Sequence, residues 1–156
     1  MDYNELIRGF AERYGVQDLS TADGVTILEI DETQVSIIHD EQADSVTLYG
    51  EIGFPPPDAD GAFGSAMLKA NHPLAGTGGL VLCQHPDTGA FGVLRTLALA
   101  TLDMDAFCAE LGRLVDQAEY WRKLKDGFLQ AEEEADIADT SAAGIEPLSP
   151  NGFIQV

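Results

Sequence analysis

The sequence predicts an α+β fold: a helix, a three-strand antiparallel meander, a second helix, a two-strand hairpin and a long C-terminal helix, in one domain over residues 1–131. Three observations carry that expectation. Apolar residues recur at helical spacing at both ends of this stretch. Short β-rich runs bounded by turn residues fill the space between, and three consecutive prolines split those runs into two groups.

In the opening segment Tyr3, Leu6, Ile7, Phe10, Ala11 and Tyr14 fall on one face of a helix from Asp2 to Tyr14, and Gly15 suits its left-handed end. Asp23-Gly24 is a turn into a strand from Val25 to Ile30, and Asp31-Glu32-Thr33 a turn into Gln34 to His39. Strands joined so tightly run antiparallel. A third run, Ser45 to Glu51, follows the acidic loop Asp40 to Asp44. The meander stops at Pro55-Pro56-Pro57, because proline lacks a ladder donor and fixes its φ angle.

Asp60 can cap a helix from about Gly61 to Asn71, with Phe63, Ala66, Met67 and Ala70 on one face and Leu68 at its edge. Pro73 marks its end. Beyond Gly76 to Gly79, the runs Leu80 to His85 and Phe91 to Leu99 make a hairpin about Pro86-Asp87-Thr88-Gly89. Asp103 caps the last helix, where Phe107, Leu111, Leu114, Val115, Ala118, Trp121, Leu124 and Phe128 keep helical spacing. Residues 132–156 are acidic, lose that period and become rich in Ser, Ala, Gly and Pro, the composition of a flexible tail. Its last residues, Gly152 to Val156, turn apolar again.

Composition narrows the function classes. The chain carries 27 acidic against 8 basic side chains, a formal charge of -19, which repels phosphate backbones and anionic lipid surfaces. Nucleic acid is therefore excluded as a partner. A basic or neutral protein surface would be attracted, and the charge equally serves solubility. No run approaches the roughly 18 apolar residues of a membrane span, and Met1 to Glu5 lacks the basic start of a signal peptide, so a cytoplasmic protein is expected.

Cys83 and Cys108 are far apart and read as buried reduced thiols. Cys83-Gln84-His85 offers at most two zinc ligands, and Asp103-Met104-Asp105 lacks the glycine and distal glutamate of a calcium loop. Gly76-Thr77-Gly78-Gly79 has no lysine to complete a phosphate cradle, and the Asp58, Asp60 pair reads as a loop. With no Gly-x-Ser-x-Gly elbow and no Cys/His arrangement, neither an enzyme nor a metal or other cofactor is expected.

The order of elements, together with several local stretches, resembles the class I type III secretion chaperones, the family that includes the chaperone of the translocated intimin receptor. The stretches are Arg13-Tyr14-Gly15-Val16, Asp23-Gly24 leading into Leu28-Glu29-Ile30-Asp31, Ile52-Gly53 before the prolines, Met67-Leu68-Lys69-Ala70-Asn71 and Ala118 to Leu124. The resemblance spans about Leu6 to Leu124, and the tail beyond departs from it.

It implies a homodimer in the bacterial cytoplasm that holds the N-terminal segment of a secreted effector extended and secretion-competent without ATP. The secretion ATPase is a further implied partner. It places the dimer interface on Phe63, Met67, Leu68 and Leu80 to Cys83, including Leu82, and a helix with this much apolar width suits pairing with its copy. Client binding would combine strand addition with filling of an apolar groove. The groove is expected from Leu6, Ile7, Phe10 and Tyr14 of the first helix and Val25, Ile27 and Val35 of the meander, although each alone is equally explicable as core. Two other classes fit the same fold: an acidic adaptor or regulatory domain that binds a folded partner, and a small enzyme or ligand sensor with a polar pocket under the last helix.

Overall fold

Asp2 starts the first helix, α1 (Tyr3–Tyr14), through a reciprocal pair of bonds: its side chain accepts from the Glu5 N–H at 2.8 Å, and the Glu5 carboxylate accepts from the Asp2 N–H at 3.0 Å. Gly15 ends it at φ 66. The computed structural model describes residues 2–16, 19–55, 61–72 and 77–142. Pro56 to Asp60, with the expected cap Asp60 and the Asp58, Asp60 pair, and residues 73–76, with Pro73 and Gly76, lie outside the described residues.

Strands β1 (Thr21–Ala22), β2 (Val25–Ile30), β3 (Thr33–Asp40), β4 (Ser45–Gly53), β5 (Val81–Gln84) and β6 (Phe91–Ala98) form one six-stranded antiparallel sheet in the order β1-β2-β3-β4-β6-β5. The expected meander and hairpin are thus parts of a single sheet, joined where β6 runs back along β4 from Ser45↔Ala98 to Gly53↔Phe91. The short β1 was not expected, since two residues carry no periodicity. Both tight turns adopt left-handed backbone: Asp23 and Gly24 at φ 51 and 74, and Asp31 and Glu32 at φ 46 and 64. Ile30 pairs with Thr33, so Asp31-Glu32 is the whole two-residue loop of a hairpin whose geometry normally asks for Asn, Asp or Gly first and Gly second, and Glu32 departs from it.

Helix α2 (Ala62–Ala70) begins after Gly61, itself left-handed at φ 63, with no side-chain cap. For α3 (Met104–Ala142), Asp103 Oδ1 accepts from the Ala106 N–H at 2.7 Å, the expected cap. The helix continues past Ala131, the expected start of the tail, to Ala142; residues 143–156 lie outside the described residues.

Helices α1 and α3 cover one face of the sheet. Thr26, Leu28 and Ile30 share that face with Val35, Ile37, Val46, Leu48 and Ile52, as two-residue alternation requires. The Tyr3 hydroxyl donates to the Ile37 carbonyl at 3.1 Å and lies 2.7 Å from Thr26 Oγ1, which fixes α1 on the sheet. Arg13 of α1 pairs with Asp105 of α3 at 2.5 Å. Farther along, Arg122 donates to Thr33 Oγ1 and the Glu51 carbonyl at 3.2 and 3.1 Å. Gly50 lets α3 approach closely: a Cβ there would lie 3.2 Å from Leu114 Cδ2. Phe63 anchors α2 among the rings of Phe91, Trp121 and Phe128. On the sheet's other face Ile27, Ile38 and Val81 are exposed.

Candidate functional site

The C-terminal turn of α1, the free flank of β2 and the N-terminal half of α3 enclose a groove of about 580 Å³. Phe10 and Tyr14 form its α1 wall, with rings tilted at a centroid distance of 4.9 Å, and Val16 and Leu19 follow where Gly15 turns the chain away. From β2, Leu28 and Ile30 project toward the helices and stay half-buried. The α3 wall consists of Cys108, Leu111, Gly112 and Val115. Contact with the Cys108 thiol pushes the Tyr14 phenol pKa up.

Gly112 is the informative position. A Cβ built there meets nothing within 4 Å, so any side chain would stand in open groove. Glycine inside a helix costs about 1 kcal/mol against alanine, and here the missing side chain keeps the channel clear.

Strand β1 pairs only with Val25 and Thr26, so no described strand covers the outer flank of β2 from Ile27 to Ile30. Unpaired backbone groups therefore run beside an apolar channel, the combination that accepts an extended peptide as an added strand. Asp31 and Asp116 stand exposed at the rim, Glu29 borders the groove from β2 with its side chain on the Ile27 face of the sheet, and no Lys or Arg is among the lining residues.

The structure separates the residues expected in this site. Tyr14, 57% exposed, and Phe10 line the groove, whereas Leu6, Ile7 and Val35 are buried in the core. Val25 and Ile27 point to the opposite face of the sheet, with Ile27 55% exposed. Sequence reasoning missed Val16, Leu19, Leu28, Ile30, Leu111, Gly112 and Val115; a glycine between Leu111 and Leu114 on a helix was the available signal.

Of the expected interface residues, Phe63, Met67, Leu80 and Leu82 are buried within the protomer. Leu68 is 73% exposed and borders a second depression of about 350 Å³ with Gly61, Gly64, Met67, Leu82 and Phe91. No helix among the described residues is long and apolar enough to cross a membrane.

The profile of the Tir chaperone protein (CesT) family matches residues 5–122. The chain belongs to that family. The matched range holds both walls of the groove and the β2 flank, and stops on α3 at Arg122, before the acidic end. The fold is also similar to solved structures. A chain of the ExsC–ExsE complex is 25% identical with a TM-score of 0.67, the match covering 80% of this chain and 97% of that one. A chain of the HopA1–SchA chaperone–effector complex is 19% identical with a TM-score of 0.65, covering 78% and 93%. The third, from Yersinia pestis, is the type III secretion chaperone SycH in complex with a fragment of YscM2, 19% identical, TM-score 0.59, covering 76% and 98%. No curated protein matches the sequence.

Proposed function

We propose that this member of the CesT family is a type III secretion chaperone of the bacterial cytoplasm that holds the N-terminal segment of a secreted effector in extended form. The observation that carries the reading is the apolar groove lying beside the unpaired flank of β2. An extended segment can add a strand along Ile27 to Ile30 while its alternate side chains enter the groove between Tyr14 and Gly112. Neither interaction requires a nucleotide. Membership in the family and the structural likeness to chaperone–effector complexes support the same partner class.

The protomers pair through α2 in this reading. Leu68 and the neighbouring depression give that face an apolar surface. A dimer presents two grooves, one for each half of a long client segment.

Gly112→Leu tests the site, because it fills the groove where no atom stands in the way. Tagged wild type and variant are expressed in the host, the co-purifying secreted protein is identified by mass spectrometry, and its N-terminal segment is titrated into both by calorimetry. The expected result is tight binding to wild type, loss of at least about thirtyfold in the variant, about 2 kcal/mol, and protease sensitivity of the bound segment outside its contacts. Undiminished binding by a folded Gly112→Leu protein overturns the groove assignment. A partner that stays a compact, protease-resistant domain in the complex would make the protein an adaptor instead.

A further inference from the structure

We infer that the groove selects client segments of alternating pattern, apolar residues separated and flanked by lysine or arginine, with the cations read by Glu29, Asp31 and Asp116. This deepens the chaperone reading and rests on the groove being the client site.

Geometry sets the pattern. A strand laid along β2 places every second side chain over the floor beside Leu28 and Ile30, and the residue between them beside Glu29 on the opposite face of the sheet. Asp31 at the hairpin and Asp116 on α3 extend the same negative border. The charge here is unspent. Among the described side chains of α3, Asp105 pairs with Arg13, Glu110 with Arg113 and Arg95, Glu119 with Lys123, and Asp126 with Lys125. Asp116, the helix acid that borders the groove, has no ion pair among the described residues, and neither has Glu29 or Asp31. Asp31 sits at the groove mouth in the two-residue hairpin turn, where its left-handed backbone at φ 46 is one that aspartate adopts readily. An apolar floor with an uncompensated anionic border complements an apolar segment that carries cations, and opposes one that carries acids.

The test uses four fluorescein-labelled synthetic peptides read by fluorescence anisotropy. Three share alternating Leu and Ile positions, with the intervening and flanking residues all Lys, all Ser or all Glu; the fourth keeps the Lys residues and replaces the apolar ones by Ser. Proteins are wild type, Gly112→Leu, the rim variant Glu29→Gln/Asp31→Asn/Asp116→Asn, and a remote variant of equal charge change, Glu41→Gln/Asp44→Asn/Asp87→Asn, each checked by thermal melting.

The Lys peptide is expected to bind wild type about tenfold tighter than the Ser peptide at low salt, falling to about twofold in 1 M salt, with the Glu peptide weakest. The rim variant should erase the preference and the remote variant should keep it, while Gly112→Leu abolishes binding and the apolar-free peptide does not bind. Equal affinity for Lys and Ser peptides, or a preference that survives in the rim variant or is lost in the remote one, overturns the charge inference; the groove reading stands while Gly112→Leu still blocks binding. Failure of all peptides to bind wild type, or undiminished binding to Gly112→Leu, removes the groove reading and the inference together.

Discussion

The Asn71 carboxamide accepts from the Leu82 N–H at 2.9 Å and donates to the Leu82 carbonyl at 3.0 Å, so a side chain from the end of α2 takes the place of a neighbouring strand on β5. The two margins of the sheet are therefore unequal: β5 is occupied at Leu82, and β2 is open beside the groove. Asn71→Ala leaves two half-buried backbone groups unmatched. It should cost about 1–2 kcal/mol in urea unfolding while client affinity stays within twofold, because the proposed client margin is the other one.

Gly112→Ala should stabilise the protein by about 0.5–1 kcal/mol, since it improves helix propensity at a site with free space. The midpoint of urea unfolding is the readout. A loss of stability would mean that the position is tighter than its surroundings indicate.

Glu32→Gly should also stabilise, by about 1 kcal/mol, by relieving a non-glycine residue at φ 64 in the two-residue turn between β2 and β3. Asp31 keeps its place at the groove, so client binding should persist. Thermal melting and a binding titration on the same sample check both halves.

Leu68→Glu should convert a dimer into a folded monomer, because Leu68 is 73% exposed on the protomer. Light scattering would then report half the wild-type mass with an unchanged melting profile. Met67→Glu is not an equivalent probe: Met67 is only 4% exposed, so the charge would enter the core and unfold the chain.

Burial pushes the Tyr49 phenol up to about 12, and it raises the Cys83 thiol as well. Both groups are neutral when protonated, and the fold raises both pKa values. Their contribution is thus fully present below the unfolded-state values and is lost as pH rises, for Tyr49 between about 10 and 12. Ultraviolet titration of wild type and Tyr49→Phe should differ by one late-ionising component among the four tyrosines. The Tyr49 hydroxyl has no hydrogen-bond partner among the described residues, so Tyr49→Phe should keep neutral-pH stability and flatten the alkaline decline.

Much of the fold was legible because its punctuation is local. Asp103 caps a helix, Asp23-Gly24 and Asp31-Glu32 turn hairpins, and Leu68 falls outside the buried stripe of α2, as spacing alone indicates. The joining of β4 to β6 was not legible, since it depends on contacts between residues far apart in sequence. The site was only half legible for a reason visible in β2. Val25 and Ile27 are apolar on one alternation and Leu28 and Ile30 on the other, so periodicity cannot say which set the helices cover. Likewise the stripe Leu6, Ile7, Phe10 and Tyr14 reveals an apolar face of α1 without revealing that α3 and the sheet cover all of it but its end.

An open apolar channel is also a contact surface for another molecule of the same chain. The formal charge of -19 acts against that outcome by raising a repulsive barrier between approaching copies. Acidity then guards the protein in storage, when its channel is bare. A cationic segment of the kind proposed would lift the need for the guard as it drew down the charge, so the vacant and occupied forms would each remain dispersed by a different means.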